Sequence, residues 1–93
     1  MIVLAKVHKL DDIISGSTAD GKDWEKQTVI VEIAGNEKKL AVEFFGAEKV
    51  AITKELKVGQ VVSVTYQIES TEYNGKWFTK LVGISITPYQ VRE

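Results

Sequence analysis

The sequence predicts a small all-β domain, a barrel of five strands with one short helix between strands 3 and 4. Apolar and polar residues alternate with period two along five segments, as in strands that bury one face. Asp20-Gly21 and Asn74-Gly75 are strong hairpin-turn signals between such segments. Only Ala47 to Leu56 has helical spacing, and this stretch is so short that it needs tertiary packing to be stable.

Length and composition limit the possibilities to one small globular domain. The chain has 93 residues, 44% hydrophobic and 27% charged, which suits a single domain over residues 1–93 with residues 87–93 as a short C-terminal tail. The absence of cysteine excludes disulfides and cysteine-based zinc sites. The lack of cysteine also fits a reducing cytosol, so we expect a cytoplasmic protein. No apolar run approaches the roughly 18–20 residues that span a bilayer, so we expect no membrane contacts.

The first predicted strand covers Ile2 to Ser15. Val3, Ala5 and Val7 share one side of it. The alternation then breaks, and a bend or bulge near Asp11-Asp12 restores it, as is common where a strand curls around a barrel. A turn containing Asp20-Gly21 follows.

Strands 2 and 3 are predicted over Trp24 to Ala34 and Lys39 to Gly46, with a turn at Gly35 to Lys38 between them. Their parity decides which of the adjacent rings Phe44 and Phe45 is buried, because a shift of one residue exchanges the two faces. The side chains predicted to point inward are Val29, Val31, Ile33, Leu40, Val42 and Phe44. Phe45 is therefore expected on the outer surface.

Strands 4 and 5 are predicted over Val61 to Glu69 and Trp77 to Thr87, and the Asn74-Gly75 hairpin joins them. A change of apolar parity in strand 5 indicates a bulge at Val82-Gly83. In strand 4 the inward side chains are expected to be Val62, Val64, Tyr66 and Ile68.

Three strands, a short helical connection and two more strands are the arrangement of the OB-fold, a small Greek-key barrel. An SH3-like barrel is the nearest rival. It also has five strands, but at most a one-turn helix late in the chain.

Three motifs carry a family resemblance that covers nearly the whole chain: GKDWEKQ at Gly21 to Gln27, KVGQVVSV at Lys57 to Val64, and IESTEYNGKWF at Ile68 to Phe78. The chain resembles the small bacterial OB domains that are similar to single-stranded DNA-binding proteins, a largely uncharacterised group. The resemblance implies a non-enzymatic binding role and a homo-oligomer, a dimer or tetramer. The long tail with an acidic tip of full-length single-strand-binding proteins is not expected here.

The ligand face of an OB barrel lies across strands 2 and 3, between the loops that join strands 1 to 2 and 4 to 5. Rings can stack nucleobases there, and lysines can contact phosphates. We therefore predict binding of single-stranded DNA or RNA with little sequence preference, in DNA replication or repair. The predicted nucleic-acid-binding residues are Lys22, Trp24, Lys26, Lys39, Phe45, Tyr73, Lys76 and Trp77.

An alternative function stays open, because the hairpin rings also suit a subunit or partner interface. The net charge is −1, without the basic excess of many nucleic-acid-binding proteins. Trp24 and Trp77 begin strands, where a large ring also caps a barrel end. The alternative is an OB-fold assembly module whose hairpin aromatics bury in a partner or in another copy.

Catalysis finds little support in the sequence. His8 is the only histidine, and a lone histidine on a strand is usually structural. The acidic pairs Asp11-Asp12 and Asp20/Asp23 lack further ligands at a metal-binding spacing. The Gly16 to Asp23 stretch lacks the Ser/Thr and the helix of a phosphate-binding loop. We expect no enzyme activity, no metal and no cofactor.

Overall fold

The computed structural model describes residues 1–35 and 37–89. Within them it contains six strands and one helix, numbered in chain order: β1 Ile2–Leu10, β2 Ile14–Ser17, β3 Asp23–Ile33, β4 Lys39–Phe45, α1 Ala47–Thr53, β5 Val61–Tyr73 and β6 Lys76–Pro88.

The strands form one sheet that closes into a barrel. Their order is β1-β5-β6-β4-β3-β2, and an additional pairing of β1 with β3 closes the ring. All neighbours are antiparallel except β4 and β6, which run parallel. This topology confirms the predicted all-β OB-fold, with its helix between the third and fourth predicted strands, now β4 and β5.

The barrel has six strands rather than the predicted five, because the first predicted strand is divided. Residues 11–13 lie between β1 and β2 and belong to neither strand. β1 pairs with both β5 and β3, whereas β2 pairs with the other end of β3. Three residues, 11–13, stand between the Leu10–Val29 and Ile14–Lys26 pairs, where β3 has only two, so one extra residue interrupts the strand near Asp11-Asp12, as we expected.

Alternation along the strands builds the core as expected. The buried apolar side chains are Ala5, Val7, Val29, Val31, Val42, Phe44, Val50, Leu56, Val62, Val64, Tyr66 and Ile86. Of the other side chains predicted to point inward, Ile33 and Leu40 are partly buried. Ile68 is the exception, because this residue is 52% exposed. It keeps the inward parity of Tyr66, but the strand has left the barrel at that point and no core lies beneath it.

Two bulges also adjust the strands, one that was not predicted and one next to its predicted position. The β1–β3 register shifts between Val7 and Lys9, which leaves His8 as the extra residue. The β5–β6 register pairs Thr65 with Ser85 and Tyr66 with Gly83, so the extra residue is Ile84 rather than Val82-Gly83.

Helix α1 closes the barrel over Gln27. It ends at Thr53, three residues before the predicted Leu56, although Leu56 is buried in the core. The Thr53 hydroxyl donates a hydrogen bond to Gln27 Oε1 (2.6 Å), and Gln27 Nε2 donates to the Asp11 carbonyl (2.9 Å). One buried amide therefore connects the helix, β3 and the bend after β1.

Two predictions concern residues at or beyond the limits of the described structure. Thr87, the last residue of predicted strand 5 and the first of the predicted tail, belongs to β6, and so does Pro88. The Tyr89 N–H donates to the Val61 carbonyl (2.9 Å). The rest of the predicted tail, residues 90–93, and Asn36 of the predicted turn lie outside the described residues. No helix in the described ranges is long and apolar enough to cross a membrane.

Candidate nucleic-acid interface

The hairpin of β5 and β6 continues far beyond the barrel. Asn74 and Gly75 have φ values of 52° and 77°, which confirms the two-residue turn with both residues at positive φ. From this turn the two strands pair without a register shift as far as Tyr66 and Gly83. Every residue from 67 to 80 is exposed. We call residues 68–80 the arm.

Direct strand pairing divides the arm into two faces, because paired residues point to the same side. The outward arm face, which turns to the side away from the barrel core, consists of Glu69, Thr71, Tyr73, Lys76, Phe78 and Lys80. The inward arm face consists of Ile68, Ser70, Glu72, Trp77 and Thr79, and Leu81 pairs with Ile68 at its base. Trp77 and Tyr73 therefore lie on opposite sides.

The outward arm face is continuous with the outer surface of β3 and β4. Glu43 of β4 pairs with Val82 of β6, and alternation from Val82 leads to Lys80 and Phe78. Alternation along β4 leads from Glu43 to Phe45. The continuous surface extends about 25 Å along the strands from Phe45 to the arm tip, at about 3.3 Å per residue.

Trp24 and Phe45 form a stacked pair at the far end of this surface. Their ring centroids are 5.9 Å apart and their planes differ by 24°. The Trp24 indole lies against Gly16, where an added Cβ would come within 2.6 Å of the ring. Phe45 is 51% exposed, whereas Phe44 is 1% exposed, which confirms the predicted parity of β4. An open groove of about 530 Å³ adjoins the pair.

Three of the predicted lysines, together with Lys80, are spread along the same surface. Lys26 pairs with Phe45 in the ladder and forms an ion pair with Glu43 (3.9 Å). Lys39 stands opposite Glu32 at the other end of β4. Lys76 and Lys80 form no ion pair with any residue in the described ranges, so both are available to an anionic ligand.

Lys22 lies in the loop that joins β2 to β3. Its N–H donates to the Thr18 hydroxyl (3.1 Å), and its carbonyl accepts from the Thr18 N–H (2.8 Å). The same hydroxyl donates to Asp20. Asp20-Gly21 thus belongs to a hairpin loop, as predicted, but this loop has five residues between β2 and β3.

The predicted site residues do not form one cluster, because five of the eight occupy two separate places and the other three lie elsewhere. Trp24, Lys26 and Phe45 meet at one end of the outward surface, and Tyr73 and Lys76 lie at the arm tip. Trp77 faces the opposite side of the arm, where it is 67% exposed.

Two outward residues of the arm were not among those predicted to bind. Phe78, which is 57% exposed, and Lys80 share the side of Tyr73. The sequence contained the signal for them, since a two-residue turn at Asn74-Gly75 fixes the pairing of residue 73 with 76 and of 71 with 78.

The site offers binding chemistry. Within residues 1–35 and 37–89, no three or more His, Asp or Glu side chains are grouped so that they could hold a metal ion. His8 is exposed at its bulge on β1. Exposed rings and unpaired lysines on one continuous surface can stack flat groups and contact anions.

Comparisons with known proteins support the fold and give a family without a function. The chain belongs to the family described as "Domain of unknown function (DUF3127)", whose model matches residues 3–87. The chain is similar in structure to the second OB-fold domain of replication protein A from Methanococcus maripaludis, with a TM-score of 0.68, 13% identity, and coverage of 99% of this chain and 85% of that one. No curated protein matches the chain. The likeness to bacterial single-strand-binding proteins stays a prediction.

Proposed function

We propose that this member of the DUF3127 family is a non-enzymatic, cytoplasmic protein that binds single-stranded nucleic acid, above all single-stranded DNA, with little sequence preference. In the proposed complex the strand lies along the outward surface from the Trp24–Phe45 pair to the arm tip. The similarity to a replication protein A domain supports DNA replication or repair as the setting.

One observation carries the proposal: aromatic rings stand at both ends of one continuous face. The strand pairing of Glu43 with Val82 joins the surface of Phe45 to that of Phe78 and Tyr73. Each base stacked on a ring contributes about 1–3 kcal/mol, and stacking tolerates any sequence because every base has a π-face. The separation of about 25 Å suits a strand of several nucleotides rather than a single base.

The lysines contribute the phosphate contacts. Lys76 and Lys80 are free of ion pairs among the described residues and alternate with the rings of the outward arm face. Lys26 contributes less, because Glu43 already neutralises it. Binding is therefore expected to be salt-dependent, and loss of both arm lysines should reduce the slope of log K against log salt by about 1.4.

Fluorescence titration with oligo(dT) at two salt concentrations tests the proposal. The chain has two tryptophans, so Trp77→Phe leaves Trp24 as the sole reporter and Trp24→Phe leaves Trp77. We expect strong quenching from Trp24 and weak quenching from Trp77, which faces away from the strand. A folded protein that binds no oligo(dT) at low salt would refute the proposal.

The two arm faces provide matched variants for the same experiment. Tyr73→Ala and Phe78→Ala remove outward rings, and Trp77→Ala removes an equally exposed inward ring. Only the outward changes should weaken binding, by about 1–3 kcal/mol each. Equal losses from all three variants would place the ligand elsewhere.

The inward arm face favours a second function, a subunit or partner interface in a homo-oligomer. Ile68 and Trp77 are 52% and 67% exposed on it, and Glu72 is its only charged residue. If this face forms an interface, Trp77→Ala should lower the mass measured by light scattering, whereas Tyr73→Ala should not.

A further inference from the structure

The outward surface carries its rings in two groups with a long interval between them. The first group is the stacked Trp24–Phe45 pair, and the second is Phe78 with Tyr73 on the outward arm face. The path from Phe45 to Phe78 crosses the β4–β6 pairing, with two residue steps along β4 and four along β6. At about 3.3 Å per residue the interval is about 20 Å.

The side chains in this interval offer no ring. Strand pairing arranges them in two rows across the sheet, which we call the middle segment: Thr28, Glu43, Val82 and Gln67 in one row, and Ile30, Ala41, Lys80 and Glu69 in the other. None of these residues is aromatic. A base above the middle segment therefore lacks the flat partner on which stacking depends.

The charges of the middle segment are largely balanced. Glu43 forms an ion pair with Lys26 (3.9 Å), so neither of these two charges is free. Glu69 stands directly opposite Lys80 on the arm and offsets part of the attraction of that lysine for phosphate. Lys76, by contrast, stands opposite an uncharged residue at the arm tip. A phosphate therefore gains less over the middle segment than at the tip.

We propose that the site holds a single strand at two separate places, the Trp24–Phe45 pair and the arm, and that the nucleotides between these places need no base. The inference rests on the proposed function and deepens it by naming the ligand class. A single strand with abasic residues in its middle binds as well as an intact strand, because only its sugar–phosphate backbone has to cross the middle segment.

The two places then act as linked binding modules. Once one end of the strand is bound, the backbone holds the other end close to the second place, so the second contact is intramolecular. A linked strand should bind about 100-fold or more tightly than one end alone. The gain requires a backbone long enough to span the interval and declines when the backbone is longer than needed. About 20 Å corresponds to about six nucleotides at the rise of a duplex strand, and to fewer in an extended strand.

Strands with two thymidines at each end and n abasic residues between them test the proposal, with n from one to eight. In Trp77→Phe, Trp24 is the only tryptophan and reports binding by fluorescence. We expect the affinity to pass through a maximum as n increases. At that maximum it should lie within about threefold of the affinity for the all-thymidine strand of the same length, because no stacked base has been lost.

The reversed strand, with two abasic residues at each end and n thymidines between them, is the matched control at the same n. Its thymidines are too few to reach both groups of rings at once. It should bind about 25-fold more weakly or worse, since each lost stack costs at least about fivefold.

The arm offers matched variants for the same strands. Tyr73→Ala with Phe78→Ala removes the second group of rings, so the dependence on n should disappear and the affinity at the former maximum should fall about 25-fold or more. Trp77→Ala, used in place of Trp77→Phe, removes a ring from the inward arm face and should keep the maximum at the same n.

Three results would overturn the inference while the proposed function stands. They are an equal loss for every base removed at any position, an affinity that does not depend on n in the protein with both groups of rings, and a Trp77→Ala variant that behaves like the double arm variant. In each case the all-thymidine strand still binds. A folded protein that binds no all-thymidine strand would overturn both the inference and the proposed function.

Discussion

The barrel and the arm share two strands, β5 and β6, but the two regions differ in burial. In the barrel, β5 alternates between buried and partly exposed residues up to Tyr66. In the arm, no residue between 67 and 80 is buried. Substitutions in a core cost several kcal/mol, whereas substitutions on an exposed surface usually change stability by less than about 0.5 kcal/mol. The barrel therefore holds the stability of the fold, and the arm's side chains are available for other molecules.

Shortening the arm should separate the two regions most strongly. Deletion of residues 70–73 and 76–79 leaves Asn74-Gly75 between Glu69 and Lys80, which already pair. Four residues leave each strand, so every remaining side chain keeps its face. Loss of two outward rings should weaken oligo(dT) binding by about 2–6 kcal/mol. The free energy of unfolding, measured in urea, should change by less than about 1 kcal/mol.

An opposite pattern would contradict this division. If the shortened protein unfolds much more easily than the original, the arm contributes to folding. If it binds oligo(dT) with unchanged affinity, the ligand does not reach the arm.

Gly83→Ala should damage the barrel without touching the arm. An added Cβ would lie 2.3 Å from the ring of Phe44, and that ring is 1% exposed and cannot move into solvent. Overpacking of this kind costs about 1–3 kcal/mol. Thermal or urea unfolding measures the loss, and Thr79→Ala on the arm is the control expected to change little. Equal stability of Gly83→Ala and the original chain would show that the core accommodates a methyl group there.

Thr53→Val tests the connection between helix and barrel. The change keeps the shape of the side chain but removes the hydroxyl that donates to Gln27 Oε1. A buried acceptor without a donor costs about 1–3 kcal/mol. Urea unfolding should show this loss, and Thr53→Ser, which keeps the hydroxyl, should recover part of it. A Val variant more stable than the Ser variant would mean that packing outweighs the hydrogen bond.

Gly16→Ala should have the smallest effect and should act on binding. The new methyl group displaces the Trp24 indole from Gly16, and the partly exposed ring can move at little cost to stability. We expect oligo(dT) binding to weaken by about 1 kcal/mol, the lower end for loss of one stack. In a Trp24→Ala background the same change should have no further effect, since residues that act through one contact are not additive.

The sequence predicts most buried positions of the barrel correctly, because alternation along each strand decides which side chains face the core. Phe44 and Phe45 were assigned to opposite faces from the alternation of β4, and both assignments hold. The division of the first strand and the exact bulge residues, His8 and Ile84, depend instead on which strands meet across the barrel. That information is tertiary, and local alternation does not contain it.

The candidate site could be predicted only in part, because the face on which each ring lies and the length of the arm also depend on how the strands pair. The aromatic residues and lysines in the sequence identify the hairpin as a candidate site. Proximity along the chain, however, does not show on which face of the hairpin each ring lies. Trp77 was grouped with Tyr73 although the strand pairing places them on opposite sides, and Phe78 was left out. How far the hairpin extends beyond the barrel depends on where neighbouring strands stop pairing with it. Ile68 was predicted to point into the core but is exposed, because alternation along the strand does not show where the barrel ends.

The short parallel pairing of β4 with β6 has a consequence for local opening. Two residue pairs, Val42–Leu81 and Glu43–Val82, join these strands, whereas the β5–β6 ladder joins twelve. Local opening occurs most easily where the fewest backbone hydrogen bonds join neighbouring strands. Amide hydrogen exchange should therefore be faster along the β4–β6 pairing, which we call the seam, than in β3. The seam also lies at the root of the arm. A ligand held by both β4 and the arm would bridge it, and slower exchange at Leu81 and Val82 would then report binding from inside the barrel wall.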